Sequence, residues 1–170
     1  MLIAHAPTGL LMAAVLIKLK PETVSWQRWY LMGAVMGLLP DLDMLWFYFV
    51  DHKQFHHHVY VPHWPIVWLS IAVVSVGWSR CCHSKLAAYA VLLGLVGMSH
   101  MVLDSVVGDI GWLKPWHDGL YAMFAVSNRY SPWQLNFIIH WSFAMELDLL
   151  LLAVWQWRRK SLKSITTMRA

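Results

Sequence analysis

The segment from Leu86 to Val107 is apolar and long enough to cross a bilayer, yet it carries His100 and Asp104 near its end. Four residues apart on a helix, both side chains leave from one face. A histidine and an aspartate in such a span are expensive unless they meet other polar groups or a bound ion, so the fold must supply an interior that receives them. Four more apolar segments accompany it: Leu2 to Leu19, interrupted by His5 and Pro7; Trp29 to Val50, containing Pro40-Asp41-Leu42-Asp43; Trp64 to Trp78; and Trp133 to Trp157. The expected fold is all-α, a polytopic transmembrane bundle of five spanning helices. It forms one domain over residues 1–157, with a basic cytoplasmic tail over 158–170.

Composition agrees. The chain is 59% hydrophobic and 13% charged, where soluble domains stand near one quarter charged. The formal net charge of +4 does not point to nucleic acid, because the basic residues fall in loops and in the tail. With the N-terminus outside, the inner side holds Lys18, Lys20, Arg28, Arg80, Lys85, Arg158, Arg159, Lys160, Lys163 and Arg169, leaving Lys53, Lys114 and Arg129 outside. The positive-inside rule therefore favours N-out, C-in. Cys81 and Cys82 then face the reducing side and read as unpaired small residues. Most of the 12 tryptophans fall near segment ends and read as an interfacial belt.

That topology places the unusual residues in one layer. His5 lies near the outer end of the first segment, and His57, His58 and His63 lie in an outer loop. At about 1.5 Å of rise per residue, Asp104 sits roughly 5 Å below its outer helix end, with His100 and Asp43 roughly 10 Å below theirs. Asp41 and Asp43 diverge by about 200° on an ideal helix, but Pro40 can kink the segment and turn both inward. The internal histidine run suits metal ligation and equally a solvated loop. His100 and Asp104 alone suit a structural pair. Taken together, one shared cation is the economical account, because it holds several buried carboxylates ionised. His140 is a further ligand or supporting group; Glu146 and Asp148 read as an ion path or as partners of another helix.

In order and spacing these elements resemble the LexA-regulated, inner-membrane-associated metal-dependent hydrolase family. The match runs from Met1 to about Trp116: His5, the LLPDLD stretch ending at Asp43, His58 to His63, and His100-Met-Val-Leu-Asp104 followed by Gly111 and Pro115. Val59 and Pro62 stand where that family has arginine and threonine. The resemblance implies a multi-pass protein of the bacterial inner membrane.

The functional expectation is a membrane-embedded metal-dependent hydrolase acting on a phosphoester or ester of a lipid-like substrate near the outer face. One or two divalent ions, zinc first and manganese second, would be held among His5, Asp41, Asp43, His57, His58, His63, His100 and Asp104. Asp43 or Asp41 would act as general base. The competing expectations are a divalent-metal transporter, which would use groups at several depths, and a structural membrane subunit.

Overall fold

A computed structural model describes residues 1–170 except Leu2, His83 and Ala170, so the start of the first expected segment and the end of the tail fall outside the described residues. The chain is all-helical: α1 (His5–Val15), α2 (Trp26–Gly37), α3 (Asp43–Phe49), α4 (Pro65–Cys81), α5 (Lys85–Val107), α6 (Gln134–Ile139) and α7 (Ser142–Arg169). Single 3-10 turns lie at Leu16–Leu19, Pro40–Leu42, His57–Val59 and Val61–His63. Among the described residues there is no strand; Ile110 and Tyr121 form an isolated antiparallel bridge.

Local chemistry explains several boundaries. Ser25 and Ser84 accept hydrogen bonds from the backbone N–H of Arg28 and Ala87, capping α2 and α5. Pro65 opens α4, where its missing N–H costs nothing. Pro40 has no N–H to continue the α2 ladder, and the chain tightens into a 3-10 turn before restarting as α3, bent by 50° from α2.

The helices meet through small residues. A Cβ on Gly9 or Gly33 would run into the other residue's carbonyl oxygen, so α1 and α2 pack backbone to backbone. Gly94 lies against the Ala72 backbone and Gly97 under the Trp68 ring, which brings α5 equally close to α4. Trp29, Tyr30, Leu92 and Val96 fill the core around Ala13, and the Trp29 indole N–H donates to the Ala13 carbonyl at 2.8 Å. Small residues at these crossings let the helix backbones approach closely, so dispersion contacts act along the whole seam.

The helix lengths differ from five uniform spans. α5, 23 residues long, is the one described helix long and apolar enough to cross a membrane by itself, and the bent α2–α3 pair makes a second if taken as one broken span. The apolar helices over His5–Leu19 and Pro65–Cys81 are shorter. The segment expected to span from Trp133 to Trp157 is broken at His140, whose Nδ1 stands 2.9 Å from Ser142 Oγ and accepts from the Ser142 N–H. Those local bonds compete with the helical ladder. Beyond the break, α7 continues through the basic stretch as far as Arg169.

Candidate metal centre

Four parts of the chain converge at one end of the bundle. α1 contributes His5 from its first residue, and the Pro40 turn contributes Asp41. The paired 3-10 turns bring His58 and His63, and the last two turns of α5 bring His100 and Asp104. Of these, His5, His58, His63, His100 and Asp104 are buried, while Asp41 keeps 32% of its side chain exposed. Residues nearly one hundred positions apart in sequence, His5 and Asp104, therefore meet at one end of the bundle.

The contacts have an unusual form. His100 Nε2 lies 3.0 Å from Asp104 Oδ2 and 3.5 Å from Asp41 Oδ1. His63 Nε2 lies 3.6 Å from that same Asp41 oxygen and 3.8 Å from Asp104 Oδ2. His58 Nε2 stands 3.7 Å from Asp104 Oδ2. Yet His63 Nε2, His100 Nε2 and Asp104 Oδ2 are buried atoms that make no hydrogen bond. Buried polar atoms left without partners are costly, and several facing one another mark a place for a shared ligand. Nitrogen and oxygen ligands about 2.1 Å from a tetrahedral ion stand roughly 3.4 Å from each other, which matches these separations.

The opposite edge of each imidazole is already committed. His100 Nδ1 is 2.7 Å from the Gly37 carbonyl, His58 Nδ1 is 3.3 Å from the Asp109 carbonyl, and His63 Nδ1 is 2.5 Å from Asp43 Oδ2. A carbonyl only accepts, so in His100 and His58 the proton sits on Nδ1 and, in the neutral ring, Nε2 presents a lone pair to the carboxylates. Histidines that ligate metals are held by the same donation to carboxylate or carbonyl oxygen.

His5 borders the same carboxylates from the other side. Its Nε2 is 3.2 Å from Asp104 Oδ1 and 4.0 Å from Asp41 Oδ2, and its ring stacks on His100 with centroids 3.6 Å apart. The Met1 amino group lies 2.6 Å from Asp104 Oδ1. Two adjacent sets of donor atoms thus have the spacing to hold a cation: His5, Asp41, His100 and Asp104, and His57, His58 and His63.

Electrostatics in the loop histidines fit this use. Burial, aided by neighbouring His63 and His56, pulls the His57 pKa down to about 4. Burial likewise pulls His58 down to about 2, against the charge of Asp104, so both rings are neutral near pH 7. Burial also lowers His63, but the carboxylates of Asp41 and Asp43 on either side of its ring more than reverse this.

Asp43 departs from its expected place among the donors. Its Oδ2 faces the far nitrogen of His63, while Asp41 faces the near one, so the Pro40 turn sends the two carboxylates to opposite edges of one imidazole. His140 bonds Ser142 and belongs to neither donor set. Glu146, read from sequence as part of an ion path or as another helix's partner, is fully buried and accepts from the backbone N–H groups of Ile3 and Ala4 at 2.6 and 3.1 Å. It anchors the start of α1. Asp148 is exposed. The Gly37 and Asp109 carbonyls were invisible to sequence reading, because a main-chain group carries no residue signature.

A cavity of about 820 Å³ adjoins Asp41, His58 and Asp104. Its lining also includes Phe124, Trp133 and Phe137, from the long connection after α5 and from the α6 region. The donor residues and these aromatic side chains therefore line one cavity. No protein-family model, characterised protein or solved structure matches this chain, and its functional reading rests on the donor geometry and the cavity beside it.

Proposed function

We propose that the protein is a membrane-embedded, metal-dependent hydrolase acting on an ester or phosphoester of a lipid-like substrate. The observation that carries this reading is the set of buried histidines whose Nδ1 atoms are held by oxygen while their Nε2 atoms converge, unbonded, on the carboxylates of Asp41 and Asp104. His63, His100, Asp41 and Asp104 would hold the ion, with His58 and His5 flanking Asp104. Two imidazoles with two carboxylates favour zinc, with manganese the second choice. A divalent ion supplies Lewis-acid polarisation and a lowered water pKa.

The chain's own residues do the rest. Asp43 and the Gly37 carbonyl fix the rings of His63 and His100, so the donor atoms are in place before any substrate arrives. Asp41 is partly exposed and lines the cavity; its oxygen Oδ2, turned away from His63 and His100, is the carboxylate oxygen left to take a proton from an attacking water while Oδ1 would face the ion. Asp43 serves as a positioning group for His63. Phe124, Trp133 and Phe137 give the cavity apolar surface on which a substrate's alkyl tail would pack.

The setting we propose is a bacterial inner membrane entered from its outer face, on the strength of α5, the apolar α2–α3 pair, and the motif resemblance over residues 1–116. Exposed apolar side chains such as Val73, Val74, Leu86 and Leu151 suit contact with lipid. Against the transport alternative, the buried Glu146 carboxylate accepts from the backbone at the start of α1, a structural use of the acid that an ion path would otherwise draw on.

The test is elemental analysis of detergent-purified protein, wild type against His100→Ala and Asp104→Ala, joined to an ester and phosphoester screen and a liposome flux assay. The reading predicts a stoichiometric ion in the wild type, its loss in both variants, and hydrolysis without flux. Stoichiometric metal retained in both variants, or flux without hydrolysis, defeats it.

A further inference from the structure

Charge on the cavity wall narrows the substrate class, an argument that rests on the metal-hydrolase reading. Among the described residues, no lysine or arginine side chain lines the cavity of about 820 Å³. Its charged side chains are Asp41, Asp104 and Asp109, and the positive group on its wall, the Met1 amine, lies 2.6 Å from Asp104 Oδ1. Arg129 follows the lining residue Asn128, but its side chain does not line the space. Lys114 is paired with Asp118.

One divalent ion between two carboxylates is already electrically neutral. A phosphomonoester brings close to two further negative charges at pH 8, with no guanidinium or ammonium side chain to receive them and Asp109 to repel them. Burying such charge uncompensated is expensive. A carboxylic ester brings none, and a phosphodiester one. The lining from the connection after α5 and from α6 includes Phe124, Trp133 and Phe137 with the uncharged Ser127 and Asn128, and Asn136 turns both ends of its amide to the backbone of residues 129, 130 and 133.

We infer that the site takes an amphiphilic ester whose reacting group carries at most one negative charge, and that it discriminates against phosphomonoesters.

The probes are three ligands with small alkyl tails: methyl octanoate, methyl octyl phosphate and octyl phosphate. Each is titrated at pH 8 into detergent-purified protein loaded with cobalt, after the bound cobalt has been counted, and the visible cobalt bands report binding. The expected result is that methyl octanoate or methyl octyl phosphate shifts the bands at a concentration at least tenfold below octyl phosphate. Arg129→Gln should leave the octyl phosphate titration unchanged. Octyl phosphate binding as tightly as the others overturns the inference, as does a loss of its binding in Arg129→Gln or silence with all three ligands. A protein that holds no stoichiometric cobalt fails at the earlier step, and the two failures are thereby distinguished.

Discussion

Asp43 Oδ2 lies 2.5 Å from Nδ1 of His63, on the edge of the ring turned away from the donor cluster, while Asp41 Oδ1 stands 3.6 Å from Nε2 on the near edge. One imidazole therefore separates two carboxylates that are two positions apart in sequence. Only the inner one can share a cation with His100 and Asp104; the outer one orients the ring.

Replacing Asp43 should weaken metal binding without abolishing it. Supporting carboxylates of this kind are worth about 10–100-fold in affinity. Asp43→Asn should fall in that range in a zinc titration against a competing chelator, whereas Asp104→Asn should lose stoichiometric binding. Equal loss in the two variants would place Asp43 among the direct ligands instead.

The α1–α2 contact makes a paired prediction about stability. A Cβ on Gly33 would collide with the Gly9 carbonyl and with the Ala13 side chain, whereas one on Gly77 meets nothing within 4 Å. Gly33→Ala should lower stability by about 1–3 kcal/mol, the usual cost of overpacking. Gly77→Ala, inside the C-terminal part of α4, should raise it by about 0.5–1 kcal/mol. Thermal unfolding in detergent checks both, and a neutral Gly33→Ala would refute backbone contact at this crossing.

Glu146 should matter for stability and leave the metal in place. Its Oε2 accepts from two backbone N–H groups at the start of α1, and loss of a charged acceptor of this kind costs about 1.5–3 kcal/mol. Glu146→Gln should therefore lower the unfolding temperature while metal content in the folded fraction stays at the wild-type value. Metal loss in a variant that remains folded would return Glu146 to the ion-binding machinery.

His58 should impose an acid-side slope on the stability of chelator-stripped protein. Its folded pKa, held down to about 2 by burial foremost, lies far below that of an ordinary imidazole, about 6.5. As the pH falls below about 6.5 the unfolded chain takes up a proton that the folded chain refuses, so stability drops on acidification. His58→Asn should unfold with a shallower dependence between pH 6.5 and 4 than the wild type. Parallel melting curves over that window would show that His58 is not held neutral.

The sequence alone established which groups must be accommodated. His5, Asp41, Asp43, His58, His63, His100 and Asp104 are polar residues on or between apolar segments, and a chain this short of charge has few ways to house them except together. Periodicity and apolar length made α5 legible, and Pro40 announced a bend. The break at His140 escaped, because it depends on local bonds between His140 and Ser142 that resemble nothing in composition.

Tertiary structure decided what each polar group does. Spacing says only that Asp41 and Asp43 point in different directions on a helix; the 3-10 turn after Pro40, set against the turn bearing His63, determines which one faces the donors. Which ring nitrogen of His100 or His58 carries the proton depends on main-chain carbonyls at Gly37 and Asp109, far away along the chain and without a side-chain signature. Glu146 became the anchor of α1 because α7 packs beside it, a contact between opposite ends of the sequence. Residue type limits which chemistry is possible, but ligation, hydrogen bonding and charge compensation act over about 3 Å, and only the packed chain sets distances of that order.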